Sequence, residues 1–174
     1  MASTGSTAAG RRADSHYRTD RRTPAQWYCL LAGLSLLIAG VGGFISDATF
    51  DTGSELQGDT FLGFEVNGWH NLVHAASGLV LLAASAKRAS ARATAIGFGL
   101  VYGVVTIIGL IDGTDVLGIL PVNPADNVLH IALSVLGLIA GFMSRGRDDV
   151  PRGEPRTVGE KRFERERGSR TGVR

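Results

Sequence analysis

Four stretches of this chain contain no Asp, Glu, Lys or Arg: Trp27 to Ile45, Trp69 to Ala86, Ala93 to Ile111 and Asn127 to Met143. As helices rising 1.5 Å per residue, each would reach roughly 26–28 Å, close to the thickness of a bilayer's hydrocarbon core. None carries a charged stripe, so a water-soluble bundle of the four would expose Leu, Ile and Val on every outer face. The expectation is an all-α membrane protein of four transmembrane helices. Composition conceals this, because 44% hydrophobic and 20% charged residues would pass for an ordinary soluble domain. The average misleads because charge is gathered into the tails and short loops.

The signs of those charges set an orientation. The first connection holds Asp47, Asp51, Glu55, Asp59 and Glu65 with no base, and the third holds Asp112, Asp115 and Asp126 with no base. The second connection holds Lys87, Arg88 and Arg92 with no acid. All 18 Lys and Arg residues fall in the N-terminal tail, this second connection or the C-terminal tail. Four crossings put those three segments on one face of the membrane, and the positive-inside rule makes that face cytoplasmic. A multi-pass protein of the cell membrane with both termini inside follows.

Residues 1–26 and 144–174 lack apolar periodicity and read as disordered tails flanking a 27–143 membrane domain. Arg pairs before the first apolar stretch, and Ser46-Asp47-Ala48 after it, imitate a secretion signal. The stretch is longer than the usual h-region and rich in glycine, so a retained anchor is expected. Cys29, the single cysteine, cannot form an internal disulfide and is expected to pack as an apolar group. His16 lies in the tail and is given no role. Glu160 to Arg167, charged at nearly every position, reads as a solvated segment.

The chain also repeats itself. Val66-Asn67-Gly68-Trp69-His70-Asn71-Leu72-Val73-His74 recurs as Val122-Asn123-Pro124-Ala125-Asp126-Asn127-Val128-Leu129-His130. Gly33-Leu34 and Gly43-Phe44-Ile45 recur as Gly99-Leu100 and Gly109-Leu110-Ile111, at a wider offset because the first outer loop is longer. Each unit is therefore a helix, an outer loop and a second helix headed by the Asn/His block. Two such hairpins in parallel orientation imply a pseudo-two-fold axis along the membrane normal, with the motif-bearing helices facing each other. The first Asn of each block is expected to cap its helix, Pro124 after Asn123 being the arrangement favoured there. The later Asn and His would lie on one helical face within the outer half of the bilayer.

Leu62-Gly63-Phe64-Glu65-Val66-Asn67 with His70-Asn71-Leu72-Val73-His74, and Pro121-Val122-Asn123 with Ala125-Asp126-Asn127-Val128-Leu129-His130, resemble the two motif blocks of the small bacterial membrane family known as domain of unknown function 4383. The resemblance runs from about Trp27 to Met143. It implies a four-helix integral membrane protein of unassigned activity.

Intramembrane Asn and His seldom face lipid, because an unsatisfied polar group there costs several kcal/mol. Asn67, Asn71, His74, Asn123, Asn127 and His130 are thus expected to form a polar hub between the repeats. Its favoured role is a clamp in which Asn71, His74, Asn127 and His130 hydrogen-bond across the axis, each bond worth about 0.6–2 kcal/mol. Two alternatives stay open. His74 and His130 would ligate a haem iron or a metal ion, with His70 and Asp126 completing a metal site at the outer rim. Or histidines titrating near neutral pH would move protons or a small solute.

Small residues at four-residue spacing, Ala39 with Gly43, Gly99 with Gly103 and Gly137 with Gly141, are expected to bring helices close, within one chain or in a homo-oligomer. Trp27, Tyr28 and Trp69 suit interfacial anchoring. There is no phosphate loop, HExxH, Ser-centred elbow or intramembrane carboxylate pair, so no enzyme is expected and no cofactor is required. The basic residues form no folded face for nucleic acid. The expected partners are the bilayer and another copy or another membrane protein.

Overall fold

The computed structural model describes residues 21–54 and 56–144; both tail expectations fall largely outside them. Helix α1 spans Pro24–Gly43, followed by strands β1 (Asp59–Phe61) and β2 (Phe64–Val66) and helix α2 (Gly68–Ala84). Helix α3 (Arg88–Asp112), strands β3 (Asp115–Val116) and β4 (Leu120–Pro121), and helix α4 (Pro124–Met143) repeat that order. The fold is mostly helical rather than purely so. Against the all-α expectation, each outer loop folds into a short antiparallel hairpin.

The helix limits follow local chemistry. Thr23 caps α1 by accepting from the Gln26 amide, while the Gln26 side chain accepts from the Thr23 amide, and Pro24 takes the first helical position. This capping box starts α1 three residues before the charge-free stretch and inside what was read as tail. Helix α3 begins five residues before its stretch, because Arg88 to Arg92 is made of helix-tolerant residues with no breaker. Asn67 and Asn123 cap α2 and α4. The hairpin turns place Leu62 and Gly63, and then Leu117 and Gly118, at positive φ. The leucines there are genuine exceptions to the usual glycine or asparagine.

Helix α1 packs along α2, and α3 along α4. Glycine makes this possible. A Cβ on Gly33 would sit 3.0 Å from the Gly78 carbonyl and 3.0 Å from the Leu82 amide. One on Gly99 would sit 2.9 Å from the Ser134 carbonyl and 3.0 Å from the Leu138 amide. Gly137 leaves room for the Ala95 carbonyl and the Tyr28 hydroxyl, and Gly141 for Ile96. Gly103 is looser, meeting only Ser134 Oγ at 3.1 Å. Of the Ala39 and Gly43 pair, Gly43 lies tight against the Asn71 side chain, whereas Ala39 is half-buried and the close approach to the backbone of Asn71 and Ala75 is made by its neighbour Gly40.

The two hairpins are pinned at the tail end of the bundle. Ala25 N at the start of α1 donates to Ser144 Oγ at the end of α4 at 2.9 Å, while Gln26 Nε2 donates to the Ser85 carbonyl at 3.0 Å and so fastens α1 to the end of α2. Nearer mid-bundle, Tyr28 of α1 donates to the Leu133 carbonyl of α4, a second tie between the helix pairs, and Ser134 of α4 donates to the Gly99 carbonyl of its own partner α3. The outward faces stay apolar, with Leu31, Ile38, Leu79, Leu100, Ile107 and Val128 exposed. Three helices, α1, α3 and α4, are long and apolar enough to cross a membrane; α2, at 17 residues, is shorter.

Candidate functional site

At the hairpin end, each Asn cap does two jobs. Asn67 Oδ1 accepts from the His70 amide at 2.9 Å, while its Nδ2 crosses to the second unit and donates to the Ile119 carbonyl at 3.0 Å. Asn123 Oδ1 accepts from the Ala125 and Asp126 amides, while its Nδ2 crosses back and donates to the Gly63 carbonyl at 3.0 Å. A second exchange lies beside the first. His70 Nδ1 meets the Pro121 carbonyl at 3.0 Å, and Asp126 Oδ2 accepts from the Glu65 amide at 2.9 Å. Asp126 Oδ2 also accepts from the Asn123 amide at 3.0 Å, closing a capping box. Every cap thus satisfies the first turn of its own helix and a strand or turn of the other unit.

One turn deeper, the two remaining asparagines sit in glycine notches. Asn71 Oδ1 lies where a Cβ on Gly43 would be, and its Nδ2 donates to the Asp47 carbonyl at 2.8 Å. Asn127 Oδ1 lies 2.7 Å from where a Cβ on Gly109 would be. Both oxygens are buried without a hydrogen-bond partner among the described residues. Each asparagine faces the helix before it in its own unit, so the expected hydrogen bonding of Asn71 and Asn127 across the axis is replaced by the clasp of Asn67, Asn123, His70 and Asp126. The cross-links belong at the helix ends because free carbonyls and amides are found there, whereas mid-helix backbone is already paired.

Three histidines converge below the clasp. His70 Nε2 and His74 Nε2 are 3.1 Å apart, and the His130 ring centre lies 6.1 Å and 6.2 Å from theirs. All three are buried, and His130 Nδ1 has no hydrogen-bond partner among the described residues. The expectation placed His70 with Asp126 at an outer rim; instead His70 joins His74 and His130 inside the bundle. His74 and His130 are in ring contact, T-shaped, but share no hydrogen bond. The motif-bearing helices α2 and α4 have the least backbone contact of any helix pair, so they meet through these side chains and do not pack along their length. A cavity of about 130 Å³ adjoins the cluster, walled by Ser77, Phe98, Tyr102 and Val101 besides the imidazoles.

Outside the helices, Asp47 organises the first loop. Burial pushes its carboxyl pKa upward, but hydrogen bonds from the Thr49 hydroxyl and amide, both 2.7 Å, and from the Asp59 amide outweigh this and hold it below its ordinary value. Trp69, at the start of α2, donates to the Phe50 carbonyl and stacks edge-on against the Phe50 ring.

Gly109, Ser77, Tyr102 and the carbonyls of Gly63, Ile119 and Pro121 were not singled out from the sequence. Gly109 was visible as part of the repeat, but backbone carbonyls carry no residue-type signal at all.

A family model described as "Domain of unknown function (DUF4383)" matches residues 26–143. The chain belongs to that family. No curated protein and no solved structure matches it.

Proposed function

We propose that this family member is a four-span protein of the bacterial cytoplasmic membrane, built from two parallel helix–hairpin–helix repeats with both termini in the cytoplasm. In this reading its Asn/His hub is a structural clasp, and it serves a structural or interaction role and turns over no substrate. The observation that carries this is the reciprocity of the clasp. Asn67 and Asn123 are 56 positions apart, as are Gly63 and Ile119, the carbonyls they receive in exchange. The same offset relates His70 to Asp126 and Glu65 to Pro121, the second exchange. Gly33 against Gly78 and Gly99 against Ser134 are likewise equivalent contacts, the second-helix residues again 56 apart and the first-helix glycines 66 apart because the first outer loop is longer. Two unrelated hairpins have no reason to make the same contacts in each other's favour.

The fourth span is supported by how α2 lies. Its final turn meets the start of α1 through Gln26 and Ser85, and its first turn meets the segment after α1 through Asn71 and Asp47. It therefore traverses the same depth as α1, whose length and composition suit a membrane. Orientation is supported by charge: Arg21, Arg22, Lys87, Arg88 and Arg92 share one end, and the acids of the two hairpin loops share the other. The cavity, at about 130 Å³, is far below the roughly 300–1,000 Å³ of sites that hold drug-sized ligands, which argues against a haem.

Single cysteines in a Cys29→Ser background test the topology. Cysteines at Thr60 and Thr114 should react with a membrane-impermeant maleimide in intact cells, and ones at Ser90 and Thr157 only after lysis. Labelling at Ser90 in intact cells would overturn the four-span reading.

A further inference from the structure

The clasp accounts for His70 Nδ1 but leaves the rest of the histidine cluster without a purpose. Each neutral imidazole has one N–H and one lone pair. With its Nδ1–H given to the Pro121 carbonyl, His70 turns the lone pair of Nε2 toward His74. This carbonyl-fixed tautomer is how proteins aim an imidazole at a metal. A hydrogen bond from His74 Nε2 at 3.1 Å satisfies that one lone pair, while His130 Nδ1 stays buried without a partner. Hydrogen bonding within the trio therefore leaves it incomplete.

One ring nitrogen from each of His70, His74 and His130 lies within 4.8 Å of those of the other two. Tetrahedral bonds of 2.0–2.1 Å put ligand nitrogens about 3.3–3.4 Å apart. The His70–His74 pair is already within a few tenths of an ångström of that spacing. His130 needs to close by no more than about 1.5 Å, a side-chain rotation beside an open cavity. We propose that His70, His74 and His130 form a binding site for a divalent transition-metal ion of the zinc class, with the fourth coordination position open to the cavity walled by Ser77 and Tyr102.

The donor set selects the class. Imidazoles alone suit zinc, copper, nickel or iron, whereas calcium and magnesium require oxygen ligands. Cys29, the only thiol, donates to the Ala91 carbonyl and is not among the grouped ligands. Three neutral ligands leave the ion's double charge uncompensated, and Asp126 supplies an answer. It is one turn before His130 on α4, fully buried, near enough to His70 to interact electrostatically, and its Oδ1 has no hydrogen-bond partner among the described residues. The Pro121 carbonyl already orients the His70 ring, so the role left to a buried carboxylate close by is to offset the metal's charge. The site goes beyond the clasp: it shares His70 and Asp126 with it, but uses His70 Nε2 and Asp126 Oδ1, which the clasp bonds leave aside.

The test uses the full chain with His16→Ala, purified in detergent without a histidine tag, stripped with chelator and titrated with Co²⁺. One equivalent should bind and give the intense visible bands of four-coordinate cobalt, and Zn²⁺ should abolish them. His74→Ala should weaken binding by about tenfold or more. His130→Cys should retain the ion and add a sulfur-to-cobalt charge-transfer band, a signature that only direct ligation produces. Melting temperatures of the metal-free proteins separate ligand loss from unfolding, and His130→Cys decides the matter where His74→Ala does not fold. Absence of tetrahedral cobalt in the folded parent protein, or His130→Cys spectra without the sulfur band, would overturn the site while leaving the clasp intact.

Discussion

Asn67 and Asn123 make the same bond in opposite directions: each side-chain amide donates, at 3.0 Å, to a hairpin-turn carbonyl belonging to the other's unit. Each also caps its own helix, so one side chain fixes both where a helix starts and what that start is tied to.

Replacing either asparagine with alanine should therefore remove a cap, at about 0.5–2 kcal/mol, together with an intramembrane-type bond of about 0.6 kcal/mol. Asn67 is buried and Asn123 half-buried, so Asn67→Ala should be the more damaging in detergent unfolding. Asn67→Ser keeps a capping oxygen but is too short to reach Ile119, and should recover most of the loss. If serine is no better than alanine, capping is not what Asn67 contributes.

The glycines should separate by what they touch. Gly40→Ala drives a methyl into the backbone of α2, which can yield only by moving the helix, and should cost about 1–3 kcal/mol. Gly103→Ala meets a single hydroxyl at 3.1 Å and should change stability by less than about 0.5 kcal/mol. Equal thermal shifts for the two would mean that the α1–α2 contact is looser than described.

Gly109→Ala places a methyl against Asn127 Oδ1, and Asn127→Ala empties the same notch. The double variant should lose less stability than the two single losses added, by roughly 0.5 kcal/mol or more, as expected for residues sharing one space. Strict additivity would show that asparagine and glycine do not press on each other.

Asp47 should give the first loop an acid-sensitive hinge. A carboxyl whose pKa is depressed on folding adds stability that is fully present above the unfolded value of 3.8 and is lost as pH falls through the lower folded value. The Thr49 amide resonance should follow that titration, and in Asp47→Asn it should stay fixed over the same range. A Thr49 shift centred above pH 3.8 would contradict the hydrogen bonds assigned to this carboxylate.

Much of this was legible in advance, and for identifiable reasons. Four charge-free stretches became four helices because absence of charge over that length is a strong signal, and Asn123 was legible as an N-cap from the Pro124 that follows it, whereas Asn67, followed by Gly68, was legible mainly through the repeat. The start of α1 was also written in Thr23-Pro24-Ala25-Gln26, a capping box that a search for apolar residues alone passes over. The hairpins were hidden: three-residue and two-residue strands are too short to show alternation, and both turns set leucine where glycine or asparagine is the usual cue. His70 was assigned to the rim because it begins the helix, yet its ring folds inward against His74, four residues on and therefore on the same face. Which carbonyl an asparagine reaches depends on how two units dock, and no residue type announces it.

The asparagine exchange in the clasp is isologous in form: the side-chain amide bond that one half-chain offers the other, it receives back in kind. Such an exchange needs both halves present but does not need them joined. The link between α2 and α3, Ser85 to Lys87, then acts by raising effective concentration rather than by shaping the contact, and a chain severed there should reassemble from its two co-expressed pieces.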